Sequence, residues 1–182
     1  MTLKKSFILK ALPMLFAMLL VFTIVNPNTA SANSSLKGFK YNSKVPMPKA
    51  HQEYLYKKTK ERGLDYKETL AVIKVESSFN PKEYYVNCYG YFQVWKGSHK
   101  DFAKALKTKN KPFDPYVNIN WGTYELSNLT KHFKKQGLKG TKLREAVLSA
   151  YNKGLYGYKK SGKATSYINK NDKALKQIKS WY

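Results

Sequence analysis

Apolar residues recur at helical spacing in six stretches of the chain, each bounded by residues that start or stop helices. From Pro48 to Arg62, Ala50, Tyr54 and Leu55 share one side of a helix that Gly63 closes. Asp65 followed by Glu68 forms a capping-box-like start for a second helix. Ser98 with Asp101 suits the cap of a short third helix, with Phe102, Ala103 and Leu106 on its buried side. Asp114-Pro115 supplies an N-cap and a first-turn proline for a fourth. There Ile119, Gly122, Leu126, Leu129 and Phe133 recur in steps of three and four until Gly137. Thr141 is placed to cap a fifth helix, which presents Leu143, Ala146, Val147, Ala150 and Tyr151 and ends at Gly154. A sixth, from Ser166 to Trp181, buries Leu175, Ile178 and Trp181.

One stretch breaks this texture. Tyr84 to Gly97 is dense in Tyr, Val and Gly without a helical period, and reads as a short β-hairpin or an irregular loop. Helices joined by short turns, with one small insertion of this kind, make a mainly α domain, expected over residues 47–182. Residues 33–46 are polar and without period, the pattern of a flexible leader. Residues 1–32 differ again: Lys4, Lys5 and Lys10 precede an apolar run from Ala11 to Val25 and then Ala30-Ser31-Ala32. This is the pattern of a secretory signal peptide cleaved after Ala32. The run falls short of the roughly 20 apolar residues of a membrane span, and Pro13 interrupts it.

Charge narrows the setting. The chain carries 34 Lys and Arg against 11 Asp and Glu, a net +23, and loss of the three leader lysines leaves +20. An exported polycation attracts anionic wall polymers, anionic lipid or extracellular DNA over long range. Arg62 and Arg144 are the only arginines, so bidentate recognition of phosphate or guanine is poorly provided for, and no nucleic-acid partner is expected. Cys88 is the only cysteine, which excludes an intrachain disulfide. A cysteine nucleophile would need His99 or His132 as its base, and no local signature supports that pairing.

The candidate chemistry centres on Glu76. Val72 at i−4, Ile73 at i−3 and Phe79 at i+3 put this carboxyl on an apolar helical face, where desolvation raises its pKa. A carboxylic acid still protonated near neutral pH can serve as a general acid. Asp114 and Asp101 are better explained as helix caps than as second acids.

Four segments in order give the acid its company: Val75-Glu76-Ser77-Ser78-Phe79-Asn80-Pro81, Tyr89-Gly90-Tyr91-Phe92-Gln93-Val94, Phe113-Asp114-Pro115-Tyr116-Val117-Asn118-Ile119 and Ser149-Ala150-Tyr151-Asn152-Lys153-Gly154. Together they resemble the soluble lytic transglycosylase (SLT) family of goose-type lysozyme-like fold, over roughly Tyr54 to Tyr167. The resemblance implies an α+β lysozyme-like domain with its small insertion after the catalytic helix. It implies Glu76 as the catalytic carboxyl, and Ser77, Gln93, Tyr151, Asn152 and Tyr167 as substrate-binding residues, Tyr167 by hydrogen bonding the glutamate. Tyr91-Phe92 stand where the family has Leu-Met, and Tyr91 and Trp95 are the aromatics beside Gln93 that would face a sugar.

The same resemblance implies the reaction: cleavage of the N-acetylmuramic acid to N-acetylglucosamine bond of peptidoglycan to leave 1,6-anhydro ends, with one glutamate as acid and then base. Neither metal nor cofactor is implied. The expected protein is a secreted, wall-associated monomer that acts on glycan strands and holds anionic wall polymers through its basic surface. Three alternatives stay open: a hydrolytic muramidase on the same fold, a non-catalytic wall-binding protein, and an extracellular DNA binder.

Overall fold

A computed structural model describes residues 36–182, so the expected signal peptide, 1–32, lies outside the described residues. Six helices and a three-stranded meander follow one another. They are α1 (Lys49–Arg62), α2 (Tyr66–Ser77), β1 (Tyr84–Tyr85), β2 (Cys88–Tyr89), β3 (Val94–Trp95), α3 (His99–Leu106), α4 (Pro115–Lys135), α5 (Gly140–Ser161) and α6 (Thr165–Trp181). The mainly α architecture with a small sheet after the second helix is the one the sequence pattern implied. No helix among the described residues is long and apolar enough to cross a membrane.

Local chemistry sets several boundaries. Gly63 closes α1 in the left-handed conformation, and its N–H reaches back to the last turn. The Asp65 carboxylate accepts from the Glu68 N–H at 2.8 Å to start α2. Asp114 accepts from both the Tyr116 and Val117 N–H groups, with Pro115 in the first turn of α4. Two expected caps are absent. Ser98 has helical dihedrals at the end of a 3₁₀ turn, and its hydroxyl bonds no backbone N–H. Thr141 lies inside the first turn of α5, which follows an extended Lys139. Gly154 kinks α5 (φ 71°, ψ 163°) instead of ending it, and helical backbone resumes to Ser161.

The end of the expected leader is anchored to the domain. Val45 and Met47 are buried, and the buried Gln52 amide of α1 donates to the Asn42, Val45 and Met47 carbonyls. The Asn42 amide in turn donates to the Trp181 carbonyl at the end of α6. Apolar anchors and a satisfied buried amide hold residues 42–47, so the domain begins before residue 47.

The core forms where α2 lies along α6, and where α4 packs between α1 and α5. Leu55, Leu70, Ile73, Ile119, Trp121 and Ile178 are fully buried there. Tyr91 and Phe92, from the turn between β2 and β3, plug into the same core. Gly122 makes room for Phe92, since a Cβ there would lie 2.0 Å from Phe92 Cγ. Asn118, one turn earlier on α4, donates to the Tyr89 and Pro112 carbonyls and accepts from the Phe92 N–H. One buried amide and one missing side chain thus lock the meander onto α4.

Candidate active site

The meander, locked to α4, forms one wall of a cleft of about 960 Å³ whose other walls are α2, α4, α5 and α6. Glu76 and Val75 line it from α2, Glu125 from α4, Tyr151 to Gly154 from α5, and Tyr167 and Lys170 from α6. Glu83, Tyr85, Val86, Cys88, Gln93 and Trp95 line it from the meander side.

Glu76 sits at the last turn of α2, where Ala71, Val72 and Ile73 are buried in the core. The helix stops one residue later, as Ser78 and Phe79 both adopt positive φ (49° and 67°). Phe79 is therefore beyond the helical face it was expected to share, and it packs on Trp181 instead. Two consecutive non-glycine residues in this sparsely allowed region mark a constrained chain reversal beside the acid. The buried Tyr167 hydroxyl donates to Glu76 Oε1. Burial pushes the Glu76 carboxyl up to about 7, against the opposing pull of the Tyr167 hydrogen bond and the Lys170 charge. A carboxyl poised there is protonated in part of the population at neutral pH, as a general acid requires.

The remaining expected residues divide. Tyr167, Gln93, Tyr151, Asn152 and Trp95 line the cleft with Glu76. The Gln93 amide donates to the Glu83 and Gly90 carbonyls, which fixes the meander and leaves its side-chain oxygen for a ligand. The Tyr151 hydroxyl donates to the Phe92 carbonyl at 2.7 Å, so this ring joins α5 to the cleft floor. Asn152 is exposed at the cleft, and Trp95 is 61% exposed with its ring laid over Gly97.

Two expected residues do not reach the cleft. Ser77 is buried, and its hydroxyl bonds the Ile73 and Tyr91 carbonyls, tying α2 to the meander. Tyr91 is fully buried with its hydroxyl 2.9 Å from His51 Nδ1. Cys88 lines the cleft, but burial raises its thiol pKa, and His99 is engaged with the Val94 carbonyl. No group of three or more His, Cys, Asp and Glu side chains among the described residues is arranged to hold a metal ion.

Glu125 belongs to none of the four motif segments, yet its carboxyl lines the same cleft. Burial together with the charge of Glu76 raises it to about 7. Its signal in the sequence is the one that marks Glu76: a carboxyl amid apolar helical neighbours, here Trp121 at i−4, Gly122 at i−3 and Leu129 at i+4. The acid is not solitary.

Known proteins resemble this chain. A family described as the transglycosylase SLT domain matches residues 53–174. The membrane-bound lytic murein transglycosylase C of Actinobacillus succinogenes is 32% identical over 108 residues, covering 56% of this chain and 30% of the relative. Its namesake from Photorhabdus laumondii is 36% identical over 101 residues, covering 50% and 28%. The chain thus spans less than a third of the length of these relatives. Among solved structures, an inactive mutant of lytic transglycosylase Slt from Pseudomonas aeruginosa superposes with a TM-score of 0.51 at 22% identity, covering 72% of this chain and 22% of that one. The 70 kDa soluble lytic transglycosylase Slt70 of Escherichia coli gives 0.51 at 21%, covering 74% and 23%. At such identity these two establish the lysozyme-like fold.

Proposed function

Since the chain belongs to the transglycosylase SLT domain family, we propose that it is a peptidoglycan lytic transglycosylase with Glu76 as its acid and then its base. The observation that carries this reading is a single constellation: a desolvated carboxyl in a cleft wide enough for sugar rings, held by a buried tyrosine hydroxyl. Glu76 protonates the glycosidic oxygen as the bond from C1 of N-acetylmuramic acid breaks. The muramoyl 6-hydroxyl then closes on C1 and gives its proton back to the Glu76 carboxylate. Because the nucleophile is already tethered to the sugar, ring closure has the advantage of proximity. The Tyr167 hydroxyl orients the carboxyl through both steps and steadies the anion between them.

Substrate contacts are assigned to Asn152 and Gln93, with Trp95 as a rim for a sugar face and Tyr151 as a scaffold for the cleft floor. Glycan strands are the substrate, and the basic surface holds anionic wall polymers near it. Export through the 1–32 segment with cleavage after Ala32 would deliver a monomer to the cell envelope, where the related murein enzymes are named as membrane-bound. Digestion of purified peptidoglycan followed by mass spectrometry tests the reading: 1,6-anhydromuramoyl ends are expected from the wild type and none from Glu76→Gln. Wall lysis by a folded Glu76→Gln variant at the wild-type rate would falsify it.

A further inference from the structure

The anhydro route needs one carboxyl, yet the cleft holds two. Glu76 enters from α2 and Glu125 from α4, and no ion pair among the described residues includes either. Glu76 is engaged by Tyr167, whereas Glu125 has no side-chain hydrogen bond among the described residues and faces the cleft. The other titratable groups lining the cleft are Glu83, Tyr85, Cys88, Tyr151, Lys153, Tyr167 and Lys170. Of the two ammonium groups, Lys153 is turned to the Gly162 and Lys163 carbonyls, and Lys170 acts on Glu76. Among the described residues Glu125 caps no helix, pairs with no cation and anchors no loop, so no structural role accounts for it. Placing a carboxyl on the buried side of α4 without such compensation is costly.

We propose that Glu125 is a second catalytic carboxyl, the base for a hydrolytic branch in which water, in place of the muramoyl 6-hydroxyl, captures C1. This rests on the transglycosylase reading of the same cleft and adds a second product to it. In that branch Glu76 gives its proton to the glycosidic oxygen, and the bond from C1 to that oxygen breaks. The oxygen of a water molecule bonds to C1, and the water's proton passes to the Glu125 carboxylate. The product is a free reducing muramic acid end, and the proton returns from Glu125 to Glu76 through solvent. Two carboxyls that repel each other across a shared cleft hold one proton between them over a range of pH, the state that an acid and a base require together. The Tyr167 hydrogen bond still lets Glu76 be the donor, since Oε1 accepts while Oε2 carries the proton.

The experiment digests purified peptidoglycan with the full chain in heavy-oxygen water and counts muramoyl ends by mass spectrometry. Wild type is expected to give both anhydro ends and reducing ends labelled with heavy oxygen. Glu125→Gln should lower the labelled fraction by about tenfold or more while changing the anhydro rate by less than about threefold, the loss typical of a general base confined to one branch. Glu125→Asp should recover part of the labelled fraction. An unchanged product ratio in folded Glu125→Gln overturns the proposal, and so does a wild type that yields anhydro ends alone, which needs no variant to fold. Equal loss of both products in Glu125→Gln also overturns it, by assigning the residue to the common step. Absence of any cleavage by wild type would refute the transglycosylase reading itself.

Discussion

Replacing Glu76 by Gln should stabilise the protein at pH 8 while abolishing its activity, because the fold holds this carboxyl against its own ionisation. Burial raises the group from 4.5 to about 7. A carboxyl with a raised folded pKa favours the fold below the unfolded value, and this contribution is lost as pH climbs from 4.5 through 7. The displacement corresponds to at most about 3.4 kcal/mol, at about 1.36 kcal/mol per tenfold change in proton affinity. Glu76 opens onto the cleft, so solvent screening reduces this to about 2 kcal/mol. The amide carries no charge at any pH, and its oxygen can still accept from Tyr167. Thermal melts followed by circular dichroism should therefore place Glu76→Gln about 4–8 °C above wild type near pH 8, and within about 1 °C of it near pH 4. Wall lysis by the same preparation should fall by about a thousandfold, the middle of the range for loss of a positioned acid. Equal melting points at pH 8, or the same gain at both pH values, would refute the desolvation account of this carboxyl.

Tyr167→Phe removes the donor that favours the Glu76 anion. The basic limb of kcat/KM should move to higher pH, while kcat at its optimum falls about tenfold, the low end for a misplaced acid; a limb displaced toward acid would contradict this. Asn118→Leu leaves the Phe92 N–H and the Tyr89 and Pro112 carbonyls without their buried partner. Urea denaturation should register a loss of about 3 kcal/mol or more, the cost of stranding such groups. Trp95→Ala should change stability by less than about 1 kcal/mol, since the ring is 61% exposed. Its KM for soluble glycan fragments should rise about fivefold if the ring carries a sugar face, at about 1 kcal/mol per lost aromatic contact.

How far sequence reaches toward this structure depends on how local each cause is. Asp65 and Asp114 cap helices through their own neighbouring N–H groups, so spacing alone identifies them. Ser98 and Thr141 carry the same chemistry and cap nothing, because the 3₁₀ turn before α3 and the early entry at Gly140 displace them from the extended N-cap geometry. The position of Ser77 away from the cleft is illegible in sequence, since its hydroxyl meets a Tyr91 carbonyl brought there by tertiary folding. Tyr91 turns inward for a related reason: Gly122 on a distant helix leaves space for the adjacent Phe92, and the Tyr91 hydroxyl meets His51 of α1. Glu125 is legible. Its helical neighbours announce a buried carboxyl as clearly as those of Glu76 do, but it lies outside the four segments that carry the family resemblance, and motif matching alone does not reach it.

The distribution of charge explains how two carboxyls can hold protons inside a polycation. A net +23 should favour carboxylates everywhere and lower their pKa values, yet Glu76 and Glu125 are both raised. The surface charge acts through solvent, where interactions fade over a screening length of about 8 Å at physiological ionic strength. The cleft acts by removing that solvent, and at short range desolvation outweighs the diffuse field. Among the described residues only Lys153 and Lys170 bring a basic side chain to the cleft, against three acids, Glu76, Glu83 and Glu125. Lys153 is occupied by the backbone at the end of α5, so Lys170 alone bears on Glu76. Had a third lysine reached the pair, it would have stabilised both anions and left no acid at neutral pH. The scarcity of free cations in this cleft is therefore as much a part of its chemistry as the glutamates are, because it leaves desolvation to set the state of both carboxyls.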